Sequence, residues 1–329
     1  MIRLIKAARY RLTGFIKGRL RHVTMPLPSF AQIEVTTRCN FKCFTCSRES
    51  LPKSRLNRDM TIDEFILITS QIPTLKHVKL QGLGEPLLSK DIDKILHYAK
   101  HRGIRTSTIS NGSIKPDIDI LKNLDELTIS FDSQNKEYFE KMRAGSKFDN
   151  IIKNIEYIVD LKKRDIIRTK IKLSAVITHL NFKEIEKIVE KAITLGVDEV
   201  GIVEVENWYI PIEDEYQESL NFVLESRRYA NEIQNKVKEL RKKYRKKINI
   251  GLLDSSPRKS KCFWPFYAVY ISVDGYVTPC CIRMNPEVFN FGNIYQQKFA
   301  DIWNSEKYKS FREANLNNKP NIVCDNCPN

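Results

Sequence analysis

The chain has 329 residues, 42% of them hydrophobic, which suits a large α/β domain with an appendage and excludes a disordered chain. Its net charge of +15 favours anionic partners. No apolar run approaches the ~20 residues a bilayer span needs, and the N-terminus lacks a secretory core and cleavage site, so a cytoplasmic chain is expected, in which clustered cysteines read as metal ligands rather than disulfides.

Residues 1–28 form a basic arm. Arg3, Lys6, Arg9, Arg11, Lys17, Arg19 and Arg21 lie within residues 1–22, with no acid among them. Ile2, Ile5, Leu12, Ile16 and Leu20 share one side of a helix, which Gly14, Gly18, Pro26 and Pro28 weaken and end. Two readings stand: an arm packed on its own domain, or peripheral contact with an anionic membrane, here the inner face.

Strands and helices then alternate over residues 29–211. Strands are expected at 31–35, 77–81, 105–110, 126–131, 170–177 and 198–205. Helices are expected at 62–72, capped by Thr61 with Glu64, at 91–101, in one or two pieces through Lys163, and at 183–195. Six β units separated by helices indicate a parallel sheet curled into a partial (β/α)6 TIM-type barrel, with its chemistry at the C-terminal strand ends. Residues 212–256 read as a long connecting helix, 214–247, and a strand. Residues 257–329 read as a small separate module, with a β-hairpin around Asp274–Gly275.

All eight cysteines fall into two groups. Cys39, Cys43 and Cys46 directly follow the first strand. Structural zinc takes four protein ligands, and no fourth Cys or His lies nearby. An iron–sulfur cube takes four thiolates, so a missing fourth leaves one iron open to a substrate or cosubstrate. In the second group, a hairpin flanked by Cys262 and Cys280 meets the late Cys324-Asp-Asn-Cys327. That spacing suits a four-cysteine zinc ribbon as well as a cluster. Cys281 is left over as a replacement ligand, a buried thiol, or a hydrogen-atom donor.

The first trio, in C-x3-C-x2-C spacing on the loop after strand one, resembles the signature of the radical SAM superfamily. The family places an aromatic before the third cysteine; here Thr45 stands there, with Phe44 one earlier. Gly82-Leu83-Gly84-Glu85-Pro86 resembles the family's Gly-Gly-Glu-Pro segment, which implies that Gly84 and Glu85 hold the amino group of S-adenosylmethionine. Asn111, Ser130 and Asp132 resemble the family's polar strand ends beside the rest of that molecule, and Arg143 and Asn181 also match recurrent positions, Asn181 as a further cofactor-binding residue. The second group resembles the SPASM/twitch modules, which implies an auxiliary 4Fe–4S cluster on Cys262, Cys280, Cys324 and Cys327.

The resemblance implies reductive cleavage of S-adenosylmethionine by the first 4Fe–4S cluster. A 5′-deoxyadenosyl radical then takes hydrogen from a substrate carbon. It also implies an external electron donor such as flavodoxin or ferredoxin. With no large domain ahead of the barrel and one auxiliary cluster, the count resembles aminoglycoside-pathway enzymes. That favours oxidation or epimerization of a small-molecule, sugar-like or glycolipid substrate; Glu204, Glu206 and Trp208 read either as an ordinary loop or as candidates for its wall. A peptide maturase of the same superfamily is the alternative. A non-enzymatic zinc-ribbon protein that binds nucleic acid is the other, although no specific nucleic acid is expected.

Overall fold

In the computed structural model, the described residues are 24–209, 211, 213–253, 262–324 and 327. The proposed membrane contact of residues 1–22 lies outside them. No helix among the described residues is long and apolar enough to cross a membrane.

The six expected strands form: β1 (Phe30–Ile33), β2 (His77–Leu80), β3 (Arg105–Ser110), β4 (Glu126–Ser130), β5 (Lys170–Ile177) and β6 (Glu199–Glu204). They lie side by side, in chain order and all parallel. The helices between them are α1 (Ile62–Ser70), α2 (Ile92–His101), α3 (Ile118–Asn123), α4 (Lys136–Met142), α5 (Phe148–Lys163) and α6 (Ile185–Leu195). Thr61 and Glu64 cap α1 reciprocally: the Glu64 N–H donates to Thr61 Oγ1 at 3.2 Å and the Thr61 N–H to Glu64 Oε2 at 2.8 Å. Such a box stabilises a helix by about 1 kcal/mol.

One long helix was expected over 214–247; there are two, α7 (Tyr216–Arg227) and α8 (Ala230–Lys243). The Ser226 hydroxyl donates back to the Phe222 carbonyl at 3.0 Å, and the backbone leaves helical geometry at Tyr229. Tyr229 there stacks on Phe182 with ring centres 4.3 Å apart. Strand β7 (Asn249–Leu253) then adds to β6, again parallel.

The C-terminal hairpin is not free-standing. Strand β8 (Ala268–Ile271) pairs parallel with β1, β9 (Tyr276–Thr278) turns back antiparallel to β8, and β10 (Gly292–Asn293) follows. The free edge of β1 presents unpaired backbone groups, and an apolar strand such as Ala-Val-Tyr-Ile satisfies them while its own side chains are buried. The module's remaining core is built on Arg312, which is fully buried. Its guanidinium donates to the Pro265 and Trp303 carbonyls at 2.8 and 2.7 Å and lies over the Trp303 and Tyr308 rings. The end of the arm docks here too: the Trp303 indole donates to the Pro26 carbonyl at 3.1 Å.

The two faces of the sheet differ. Outward positions such as Val78, Leu80, Leu127, Ile129, Ile171 and Leu173 are buried against the helices. Inward positions such as His77, Lys79, Glu126, Thr128, Lys172 and Ser174 are half-buried and polar. A complete barrel fills its interior with layered apolar side chains; this one lines it with polar ones, half-buried along β2, β4 and β5 and buried at Gln32, Ser107 and Tyr270.

Candidate cofactor site at the mouth of the barrel

Cys39, Cys43 and Cys46 occupy the loop after β1, where the sheet's C-terminal ends converge. Lys42–Cys43 forms a short antiparallel ladder with Arg143–Ala144, and the Phe44 N–H donates to the Met142 carbonyl at 2.9 Å. A Cβ on Gly84 would sit 2.3 Å from the Thr36 carbonyl oxygen. Only glycine lets the segment after β2 lie so near the cysteine loop, and there the Glu85 N–H donates to the Arg38 carbonyl at 2.8 Å. Gly145 approaches the Asn40 carbonyl in the same way, in left-handed backbone with φ +94°.

The predicted cofactor residues split between this loop and the next strand ends. Glu85 is buried, its carboxylate accepting from the Asn111 and Leu87 N–H groups at 2.6 and 3.1 Å. Burial, only partly offset by those bonds, pushes its carboxyl up to about 7. The Asn111 amide donates to Asn40 Oδ1 at 2.9 Å and lies 3.9 Å from Cys39 Sγ. Asp132 accepts from Arg143 Nε at 2.7 Å and from the Val176 N–H at 2.8 Å. The Asn181 side chain donates to the Asp132 and Val176 carbonyls at 2.9 Å each, so it shapes the loop after β5. Ser130 stands half-buried at the end of β4.

Cys43, Thr45, Asp132, Tyr138, Arg143 and Thr178 enclose a cavity of about 30 Å³. Thr45 therefore faces the site, whereas Phe44 is 62% exposed and meets Phe222 edge-on at 5.3 Å. Burial raises all three thiols, Cys43 to about 12, and Cys39, Cys43 and Cys46 lie within electrostatic reach of one another. Arg143, with Nη1 4.0 Å from Cys43 Sγ, opposes that rise.

Cys262, Cys280, Cys324 and Cys327 likewise come within electrostatic reach of one another. Cys281 has a second set of neighbours: after burial, its strongest influences are Lys79 and Glu206. Cys281 thus lies within electrostatic reach both of the module's thiols, through Cys280 and Cys327, and of Lys79 in the barrel. Arg283 fixes this turn, donating to the Val323 carbonyl at 2.7 Å and to the Asn207 and Tyr209 carbonyls at 2.6 and 2.9 Å. Of the expected substrate wall, Glu204 points outward, within 3.5 Å of Gln234 on α8.

The profile of the radical SAM superfamily matches residues 33–202, more than half of the chain. The chain belongs to the radical SAM superfamily. A second profile, SPASM, an iron–sulfur cluster-binding domain, matches residues 262–328. The protein is thus a radical SAM enzyme that uses S-adenosylmethionine and iron–sulfur clusters. A non-enzymatic zinc ribbon does not account for residues 33–202.

The chain is 28% identical to a probable GTP 3′,8-cyclase of Methanocaldococcus jannaschii over 279 residues, covering 77% of this chain and 84% of that one. It is 25% identical over 311 residues to a tungsten-containing aldehyde ferredoxin oxidoreductase cofactor-modifying protein of Pyrococcus furiosus, covering 86% and 83%. In fold it resembles Streptococcus suis SuiB bound to its precursor peptide SuiA, with a TM-score of 0.69 at 16% identity, over 93% of this chain and 70% of that one.

The thiols fit clusters. Among the described residues, no three His, Cys, Asp or Glu side chains form a single-ion cage. A cube asks for none, because each thiolate binds its own iron. Sequence reasoning missed several supports. The Arg48 guanidinium donates to the Thr37 carbonyl at 2.6 Å. Buried Glu34 accepts from the Leu83 and Val273 N–H groups at 2.9 and 3.2 Å, joining β1, the glycine segment and the hairpin. An acid amid the apolar strand Ala-Gln-Ile-Glu-Val was the available signal.

Proposed function

We propose that this radical SAM enzyme oxidises or epimerises a small-molecule, sugar-like or glycolipid substrate held in the lumen, with one auxiliary 4Fe–4S cluster on Cys262, Cys280, Cys324 and Cys327. The observation that carries the reading is the inner face of the sheet, polar and half-buried below the cysteine loop. When bound, the reduced cluster and S-adenosylmethionine supply a 5′-deoxyadenosyl radical that takes hydrogen from carbon.

The chain's own residues orient and enclose. Gly84 and Glu85 receive the ammonium of S-adenosylmethionine, and Asn111, Ser130, Asp132 and Asn181 order the neighbouring strand ends. Arg143 neutralises Asp132 beside the thiol loop. Cys281, whose thiol is pushed up to about 12 chiefly by burial, stays protonated. A protonated thiol can return a hydrogen atom to a carbon radical, leaving a thiyl that the external reductant, a flavodoxin or ferredoxin, restores with one electron and a proton.

The test is anaerobic incubation with S-adenosylmethionine and reductant. The readouts are 5′-deoxyadenosine and the mass change of candidate sugars and peptides. Gain or loss of hydrogen on a sugar-like substrate supports the reading, and turnover of peptides alone replaces it with peptide maturation. Zinc in both sites, without broad visible absorption, sinks it.

A further inference from the structure

Lys79 is the inward-facing cation of β2. In the register of the sheet it shares one row with Thr278, Tyr270, Gln32, Ser107 and Glu126. Below that row the lumen has an aromatic floor: the Phe30 ring meets His77 at 5.1 Å and Trp264 at 5.7 Å. Above it, on the same strand face, lies Gln81. Lys79 therefore sits just above these rings, beneath the mouth where the cysteine loop lies.

The charged groups around it already have partners. Glu126 is taken by Lys172 at 3.0 Å, which also holds Glu199 at 3.2 Å. His77 bonds Ser107 at 2.8 Å, and Glu34 is held by backbone N–H groups. Lys79 makes no hydrogen bond or ion pair among the described residues, and the buried Gln81 Oε1 also has no hydrogen-bond partner. The buried Gln81 Oε1 is costly unless a ligand or water satisfies it, and Lys79 stands two residues away on the same strand face, so one ligand can reach both. Burial lowers the Lys79 ammonium below its ordinary value, consistent with a site short of negative charge.

We propose that Lys79 anchors an oxyanion of the substrate, a carboxylate or phosphate, while Gln81 Oε1 accepts from a hydroxyl or amine beside it. This names a substrate class and rests on the reading that the lumen holds the substrate. The anion at the floor would leave the rest of the molecule to rise past Cys281, whose thiol is within electrostatic reach of Lys79. A lysine is a point charge that takes either oxyanion, so succinate and inorganic phosphate serve as probes.

The holoenzyme is treated anaerobically with acetic anhydride, and acetylation of Lys79 is read by peptide mass spectrometry, with exposed Lys76 as internal reference. At roughly ten times its dissociation constant, a bound anion should cut Lys79 labelling about tenfold and leave Lys76 unchanged. Protection by succinate alone assigns a carboxylate; protection by phosphate alone assigns a phosphate. In Lys79→Met holoenzyme, the rise in Tm that the protecting anion gives wild-type protein should vanish. Failure of both anions to protect, a Lys79 that resists labelling without them, or a persisting Tm rise in Lys79→Met each overturns the proposal. Wild-type protein that forms 5′-deoxyadenosine yet leaves Lys79 unprotected refutes this inference alone. Protein that forms none refutes the proposed function itself.

Discussion

The two cysteine groups are built in opposite ways. The first gathers three thiols on one short loop, and the rest of the barrel mouth braces it: Gly84 and Glu85 after β2, Asn111 after β3, Arg143 after α4. The second draws four thiols from three distant stretches of chain, and buried arginines hold those stretches together. In the proposed assignment, one group has its ligands close in sequence and leaves a coordination position free, while the other supplies all four and depends on tertiary assembly. Sequence proximity marks the reactive centre, and dispersion marks the one that the fold must first assemble.

The largest expected effect separates them directly. Cys46→Ala should abolish formation of 5′-deoxyadenosine, whereas Cys324→Ala should preserve it and stop substrate turnover. Each should lose roughly half of the iron, one cluster of two. Iron analysis with chromatography of the nucleoside checks both, and equal loss of cleavage in the two variants would erase the distinction.

Removing Asp132 attacks the bracing of the first group. Asp132→Ala leaves the largely enclosed Arg143 guanidinium, 12% exposed, without its carboxylate and should cost about 3 kcal/mol in denaturant unfolding. A smaller local cost, about 1–3 kcal/mol, is expected for Gly84→Ala, whose Cβ would press into the Thr36 carbonyl. That variant should lose iron from the first site while keeping the module's, as resolved by spectroscopy of the two clusters.

Acid sensitivity sharpens the contrast further. Because Glu85 in the free protein is pushed up to about 7, its carboxylate must lose a proton before it can hold an ammonium. Affinity for S-adenosylmethionine should fall about tenfold for each pH unit below 7 and level off above it. Without the ligand the sign reverses. Between the ordinary carboxylate range and pH 7 the folded state keeps the extra proton, so stability falls as pH rises through that window. Calorimetry across pH reads the affinity, and Glu85→Gln should flatten its profile.

Much of this was legible in the sequence. The alternation in Lys-Ile-Lys-Leu-Ser-Ala-Val-Ile gave β5 to the residue, and the first cysteine spacing pointed to its chemistry. The docking of β8 onto β1 was not legible, since an apolar run such as Ala-Val-Tyr-Ile reads alike in an isolated hairpin and in a sheet interior. The break before α8 escaped because the apolar period runs through it; the deciding contact, Tyr229 on Phe182, lies far off in sequence. Nothing in the sequence singles out Lys79, because charge on an alternating strand usually faces solvent, and here that face is a lumen.

The pairing of β1 with β8 also fixes an order of events during synthesis. The cysteine loop emerges early, yet one side of the strand before it stays uncovered until Ala268 and its neighbours leave the ribosome. Through that interval the nascent barrel carries an open, apolar edge, the kind that recruits other chains. Ribosome-bound chains stopped before β8 should therefore bind chaperones more than chains that extend past it. The loading of iron into the first site can be timed against the closing of that edge.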